Sequence, residues 1–416
     1  MKNVILIAYS FPPDRNIGAL RSRGIAKYLP HFDWNVFVIT PLSSMPREAG
    51  FNIIETYPWL RQKLGYWKKK KTIEYSKIPF YPPGYKRFFS GLLELVPFPD
   101  SKSGWILPAV YSGIELINQK EIKAIISTYG PASSHFIAHK LKKIFPKIIW
   151  VADFRDLWSH NSFHEHCKLK LRFIELIEKR VLSNADLITT VSEPLARELE
   201  LIHGRKTTVI PNGFDPEEYG FEVGIDNKFS VIYTGSLYQQ KRNPEILFMA
   251  IKKIIFEDVS IQNDLEVNFY GTFCKELQNM IEKYNLEKIV KQRGMLSREE
   301  IIKAQKRAQV LLLVNRNLPE DKGVYTGKLF EYLGARRPIL AIGYEDSVVK
   351  DLLGDTKAGV YCWKFEQVYH VLKDWYFEWK KEKIVKYRGI EEKILSYSHK
   401  EMAKKFSRLL ENFTCS

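Results

Sequence analysis

GVYTGKLFEYLGARRPIL at residues 323–340, continued by Ala341, Ile342 and Gly343, reads as a loop, a helix and a buried strand. Gly323 and Gly327 permit tight turns and let a ligand approach the backbone. Leu329, Phe330 and Leu333 recur at helical spacing, and Pro338 ends the helix before the apolar run 339–342. A helix opened by such a loop leaves backbone N–H groups free at the positive end of its dipole, where phosphate binds. Thr326, Gly327 and Lys328 form the cradle, Lys328 adds a full charge, and Glu331 one turn on can accept from a sugar hydroxyl. An ordinary α/β helix with Lys328 and Glu331 in solvent fits this stretch alone equally well. The rest of the chain has to decide.

Upstream of it the same rhythm recurs. Residues 229–233 read as a strand, 234–236 as a turn and 244–255 as a helix; 265–270 is a strand ending at Gly271, and 309–314 is another. Lys241 and Arg242 follow the turn at Ser236. Two cations and a helix N-terminus suit a departing diphosphate, whose negative charge grows in the transition state. As isolated surface charges they would mean nothing; the second cradle favours the functional reading.

The segment 216–228 is acidic and aperiodic and reads as a linker. Before it, a strand at 4–8 leaves by a turn, and Asn16, Ile17 and Gly18 lead into a helix and a strand at 36–40. This is the opening of a doubly wound α/β domain, with Gly18 at the carboxyl edge where ligands bind. No GxGxxG fingerprint is present, so a dinucleotide is not indicated. Residues 41–108 are irregular, aromatic and basic, and read as a long insertion. The α/β pattern resumes with a strand at 122–127, a helix from Ser133 to Ile144 and a strand at 148–152, which ends on Asp153, Phe154, Arg155 and Asp156. A helix at 172–183, a strand at 186–191, a helix at 193–203 and a strand from Val209 follow, and the tail from Ser396 to about Asn412 is a last amphipathic helix.

At 416 residues the chain is too long for one ordinary core. Its 45% hydrophobic and 27% charged residues are those of a globular protein, which excludes a disordered one. Cys167, Cys274, Cys362 and Cys415 form no CxxC pair, so a reduced, cytoplasmic chain without structural zinc is expected. The N-terminus reads as a first strand instead of a signal peptide, and no apolar run approaches the ~20 residues of a spanning helix. The net charge of +16 calls for an anionic partner. No nucleic-acid motif is visible, so nucleic acid is not expected. Trp67, Lys68, Lys69, Lys70 and Lys71, with Tyr81, Lys86, Arg87, Phe88 and Phe89, interleave cations and aromatics in the manner of an anionic membrane contact; a solvated basic loop is the alternative.

VIYTGSLYQQKRNPEIL, TGKLFEYLGARRPILAIG and VIPNGFDPEEY together resemble the retaining, nucleotide-sugar-dependent glycosyltransferases of family 4. FPPDRNIGALRSRGIAKYL, FPDSKSGWILPAV, VADFRDLW and ITTVSEPLARELE are similar to a bacterial branch that builds surface polysaccharides such as capsule. The motifs span most of the chain in order. The resemblance implies a GT-B fold, two Rossmann-like domains facing across a cleft, here 1–212 for the acceptor and 213–395 for the donor, with the helix 396–416 packing back on the first.

It further implies a nucleotide-diphosphate sugar as donor, no cofactor and no metal, and no DxD pair ends a strand. The acceptor is expected to be a lipid-linked saccharide or oligosaccharide, reached from the inner face of the plasma membrane. Lys241 falls on the family's diphosphate lysine. Its usual arginine is Ser236 here, so a second cation must come from Arg242 or Lys328. Glu331 falls on the second glutamate of the E-x7-E pair, which holds the ribose. The first is Gly323, with Glu320 and Asp321 near enough to substitute. Gly271 and the turn at Met295 fall where the base is held. Asp153 is the first choice for an acceptor-side or catalytic carboxylate beside Arg155, or else a structural tie. His135 is a candidate acceptor contact or a core histidine. A nucleotide-sugar 2-epimerase of the same fold and a catalytically degenerate binding protein are the alternatives.

Overall fold

The computed structural model describes residues 1–14, 16–57, 99–161, 167–237 and 242–414. The chain divides into two units, Met1–Val191 with Ala196–Ile210 and Ala403–Ser416, and Ser192–Leu195 with Pro211–Met402.

Unit 1 is built on seven parallel strands: β1 (Lys2–Ile7), β2 (Trp34–Pro41), β3 (Asn52–Thr56), β4 (Ile122–Thr128), β5 (Ile149–Phe154), β6 (Leu187–Thr190) and β7 (Thr207–Val209), in the order β3-β2-β1-β4-β5-β6-β7. Parallel neighbours require crossovers, and helices supply them: α1 (Ile17–Tyr28), α2 (Ile106–Gln119), α3 (Ser133–Ile144), α4 (Lys168–Leu182) and α5 (Glu193–His203). Asn16 starts α1 by accepting from the Ala19 N–H at 2.9 Å. The strand order reverses between β1 and β4, whose carboxyl ends form the switch point. The closing helix α12 (His399–Thr414) places Phe406 in this unit, 5.5 Å from the Arg21 guanidinium.

Unit 2 repeats the plan with β8 (Phe229–Thr234), β9 (Leu265–Tyr270), β10 (Val290–Gly294), β11 (Val310–Val314), β12 (Ile339–Ile342) and β13 (Gly359–Cys362), parallel in the order β10-β9-β8-β11-β12-β13. Its helices are α6 (Glu245–Glu257), α7 (Lys275–Lys283), α8 (Arg298–Arg307), α9 (Gly327–Ala335), α10 (Val348–Thr356) and α11 (Phe365–Glu382). Alternation along β8 sends Val231 and Tyr233 into a core with Leu247, Ile251 and Trp379, and Ile232 into another with Leu329, Leu333 and Leu352. Both faces are therefore covered, which is why these strands read as unbroken apolar runs.

Two sequence expectations change. Residues 52–56, taken as part of an irregular insertion, are the edge strand of the first sheet, paired in register with β2 from Phe37 to Pro41. The segment 216–228, taken as a linker, holds the buried Tyr219 against Gly334 of α9. The basic and aromatic residues 67–71 and 81–89 lie outside the described residues.

Candidate functional site

In unit 2 the carboxyl ends of β8, β9 and β10 each turn on a glycine with positive φ: Gly235 (+107°), Gly271 (+154°) and Gly294 (+77°). Their backbones are stitched together. The Gly235 N–H donates to Tyr270 O at 2.6 Å, and the Gly271 N–H to Gly294 O at 2.8 Å. A Cβ on Gly271 would sit 2.5 Å from Gly235 O, so only glycine lets the turns approach so closely. Tyr233 fixes the following turn by donating to Ser236 O at 2.8 Å.

Against this ledge stands the N-terminus of α9. Thr326 is its N-cap with extended backbone (φ −78°, ψ 141°), yet its hydroxyl caps nothing, and Thr326 Oγ1 is buried with no hydrogen-bond partner among the described residues. Lys328, in the first turn, folds back over bare Gly235: a Cβ there would lie 2.9 Å from Lys328 Nζ. The ammonium also faces the Tyr233 ring at 5.3 Å. Burial, reinforced by the charge of Arg242 and opposed by Glu331, pushes the Lys328 pKa down to about 7. A buried cation, an idle hydroxyl and the open end of a helix are the groups with which proteins hold an anion.

Glu331, one turn on, is engaged. Its carboxylate accepts from Arg298 and, at 3.3 Å, from Gln305, while Arg298 also holds Glu218 at 2.8 Å. Arg298 had no distinguishing mark in the sequence; it opens α8 just after the capping Ser297. Met295, in the turn after β10, is 79% exposed. Arg242 is half-buried, and its backbone N–H donates to Leu237 O at 3.2 Å. Lys241 lies outside the described residues. Asp321, the expected stand-in for the first family glutamate, is buried and accepts from Nε and Nη2 of Arg316, whereas Glu320 is exposed.

Unit 1 corrects two expectations. Asp153 is fully buried and accepts from Arg21 at 2.9 and 2.7 Å and from Thr189 at 2.8 Å, so it ties β5 to α1 and β6 and is not open to an acceptor. His135 is a core residue: fully buried, 2.7 Å from Ser127 Oγ and 4.7 Å from the Phe154 ring. Burial, only partly offset by Asp153, pushes its pKa down to about 3, so it stays neutral and away from ligands. Over Gly18 lies the Arg155 guanidinium: a Cβ on Gly18 would meet it at 2.7 Å, and one on Gly130 at 2.5 Å. Arg155 itself is half-buried at the strand edge, donating to Tyr129 O at 3.0 and 3.2 Å.

With its two doubly wound parallel sheets the chain has the GT-B fold. Residues 22–218, just under half of the chain, match the model of Glycosyltransferase Family 4, in keeping with the motifs. No curated protein matches the chain at the sequence level. Among solved structures, the sucrose-phosphate synthase of Thermosynechococcus elongatus is 13% identical with TM-score 0.67, covering 100% of both chains. HepE of Anabaena, solved with UDP-glucose, is 13% identical with TM-score 0.64, covering 99% of this chain and 100% of its own. A protein of Listeria monocytogenes described as a putative UDP-N-acetylglucosamine 2-epimerase is 12% identical with TM-score 0.56, covering 100% of this chain and 98% of its own.

Proposed function

We propose that the protein transfers a sugar from a nucleoside-diphosphate sugar to a hydroxyl of a lipid-linked saccharide, with retention and without a metal, at the inner face of a bacterial plasma membrane during surface-polysaccharide synthesis. The observation that carries this reading is Lys328 lying over Gly235 beside the buried, unpartnered Thr326 hydroxyl at the mouth of α9. In this scheme the acceptor oxygen bonds to the anomeric carbon as the bond from that carbon to the diphosphate oxygen breaks. The acceptor proton passes to the leaving phosphate. Lys328 takes the place of the missing arginine at Ser236, and Lys241 and Arg242 add charge to the departing diphosphate. Glu331, released from Arg298 or sharing it, receives the ribose hydroxyls, and the Gly271 and Met295 turns flank the base.

HepE, solved with UDP-glucose, supports such a donor through the shared fold, and the epimerase neighbour keeps a second chemistry open. The test is a thermal-shift screen of UDP, GDP and ADP and their sugars, followed by turnover of the stabilising donor with and without membrane lipid extract. A shift that Lys328→Met removes, with donor consumed only when extract is present, is the expected result. Donor isomerised in buffer alone would establish the epimerase.

A further inference from the structure

The surface of unit 1 carries a feature that sugar transfer does not require. On α4, Leu169, Phe173 and Leu176 are 83%, 59% and 67% exposed. Their spacing of four and then three residues puts them on one stripe of the helix, within about 60° of each other. Lys168, Lys170, Arg172, Lys179 and Arg180 are exposed around that stripe. The acids of the helix are turned elsewhere. Glu178 is fully buried, accepting from the Ser159 N–H at 2.9 Å and meeting His203 at 3.1 Å, and half-buried Glu175 is paired with Lys179 at 2.6 Å. Val181 and Leu182 seat the opposite side in the core. The outward face thus shows three large apolar groups and five cations, with no exposed carboxylate.

A helix that needs only to be wetted has no use for an exposed Leu, Phe and Leu in a row, and lone exposed apolar residues would not share a stripe. An acidic protein would complement the charge, but it would need a groove or pocket to receive the stripe in one register. A lipid surface accepts it in any register, with acyl chains taking the apolar groups and head-group phosphates the cations. The fifteen residues of α4 span about 22 Å, long enough to lie in the interface plane and too short to cross it. We infer that α4 lies along an anionic membrane surface, with Leu169, Phe173 and Leu176 inserted and the flanking lysines and arginines on lipid phosphates. The inference stands apart from the donor chemistry; it rests on the proposed function only in that a lipid-linked acceptor gives the docking a purpose.

Vesicle co-sedimentation of the full chain tests it, using phosphatidylglycerol–phosphatidylcholine and pure phosphatidylcholine vesicles at low and high salt. Three proteins are compared: wild type, Leu169→Ser/Phe173→Ser/Leu176→Ser, and Lys168→Glu/Lys170→Glu/Arg172→Glu. Because all substituted side chains are solvent-facing, folding is checked by circular dichroism and by the shift given by UDP. Wild type is expected to bind anionic vesicles and not neutral ones. The serine variant should bind at least tenfold more weakly and lose the remainder in salt. The glutamate variant should stay in the supernatant, since each cation at such a surface is worth about fivefold. Wild-type-like binding by both folded variants, or no wild-type binding to anionic vesicles, overturns the assignment. If vesicles bind as expected while no nucleotide shifts the melting point, the donor reading fails and α4 does not.

Discussion

Lys328 shows how much a single position can announce and how much it conceals. Its place after Thr326 and Gly327 was legible, because a Gly-rich helix start next to a lysine is a local pattern. Its partner, Gly235, is far away in the sequence, and only folding puts the ammonium over that bare Cα. The consequence is a titration. Burial lowers the Lys328 pKa to about 7, below the ordinary lysine value of 10.5. Between those values the unfolded chain holds a proton that the folded chain lacks, so the lysine's penalty on stability is full below pH 7 and fades as pH rises toward 10.5. A bound diphosphate reverses the burial effect by supplying negative charge. Binding UDP at pH 8 should therefore take up about one proton, falling toward none at pH 6, where the lysine is already charged. Calorimetry in buffers of different ionisation enthalpy reads this directly. A UDP-binding protein with no proton uptake at pH 8, or with the same uptake after Lys328→Met, would place the diphosphate elsewhere.

Between elements, the sequence was most reliable where strands are buried on both sides. Val310, Leu311, Leu312, Leu313 and Val314 are all buried, and such a run has one structural meaning. It was least reliable at β3, whose residues are mostly half-buried with Asn52 exposed, so neither alternation nor an apolar run marks it. Asp153 shows the corresponding limit for sites. A strand-end carboxylate looks catalytic until its partner is known, and Arg21 stands 132 residues away. With both groups buried and doubly hydrogen-bonded, the pair binds α1 to the ends of β5 and β6. Asp153→Ala would strand the Arg21 guanidinium and should cost about 3–5 kcal/mol in urea unfolding. A variant within about 1 kcal/mol of wild type that nevertheless lost turnover would return Asp153 to the chemistry.

The whole molecule is built on separate cores. Each sheet closes its own, and the chain passes between units at residues 191–192, 195–196, 210–211 and 402–403. In unit 2 the aromatic and aliphatic clusters on both faces of the sheet are made, among the described residues, of unit 2 residues alone. Units with separate cores can unfold separately, so calorimetry should resolve two transitions instead of one. The proposed diphosphate cradle, made of Gly235, Thr326 and Lys328, lies wholly in unit 2. At a hundredfold excess over its dissociation constant a nucleotide adds about 2.7 kcal/mol to the state that binds it. For a unit of about 200 residues this raises the melting point by roughly 5–10 °C. UDP should move one transition by that amount, leave the other in place, and move neither in Lys328→Met. A shift confined to the transition that Asp153→Ala lowers would assign nucleotide binding to unit 1, where Arg155, over Gly18 and Gly130, would be the residue to test next.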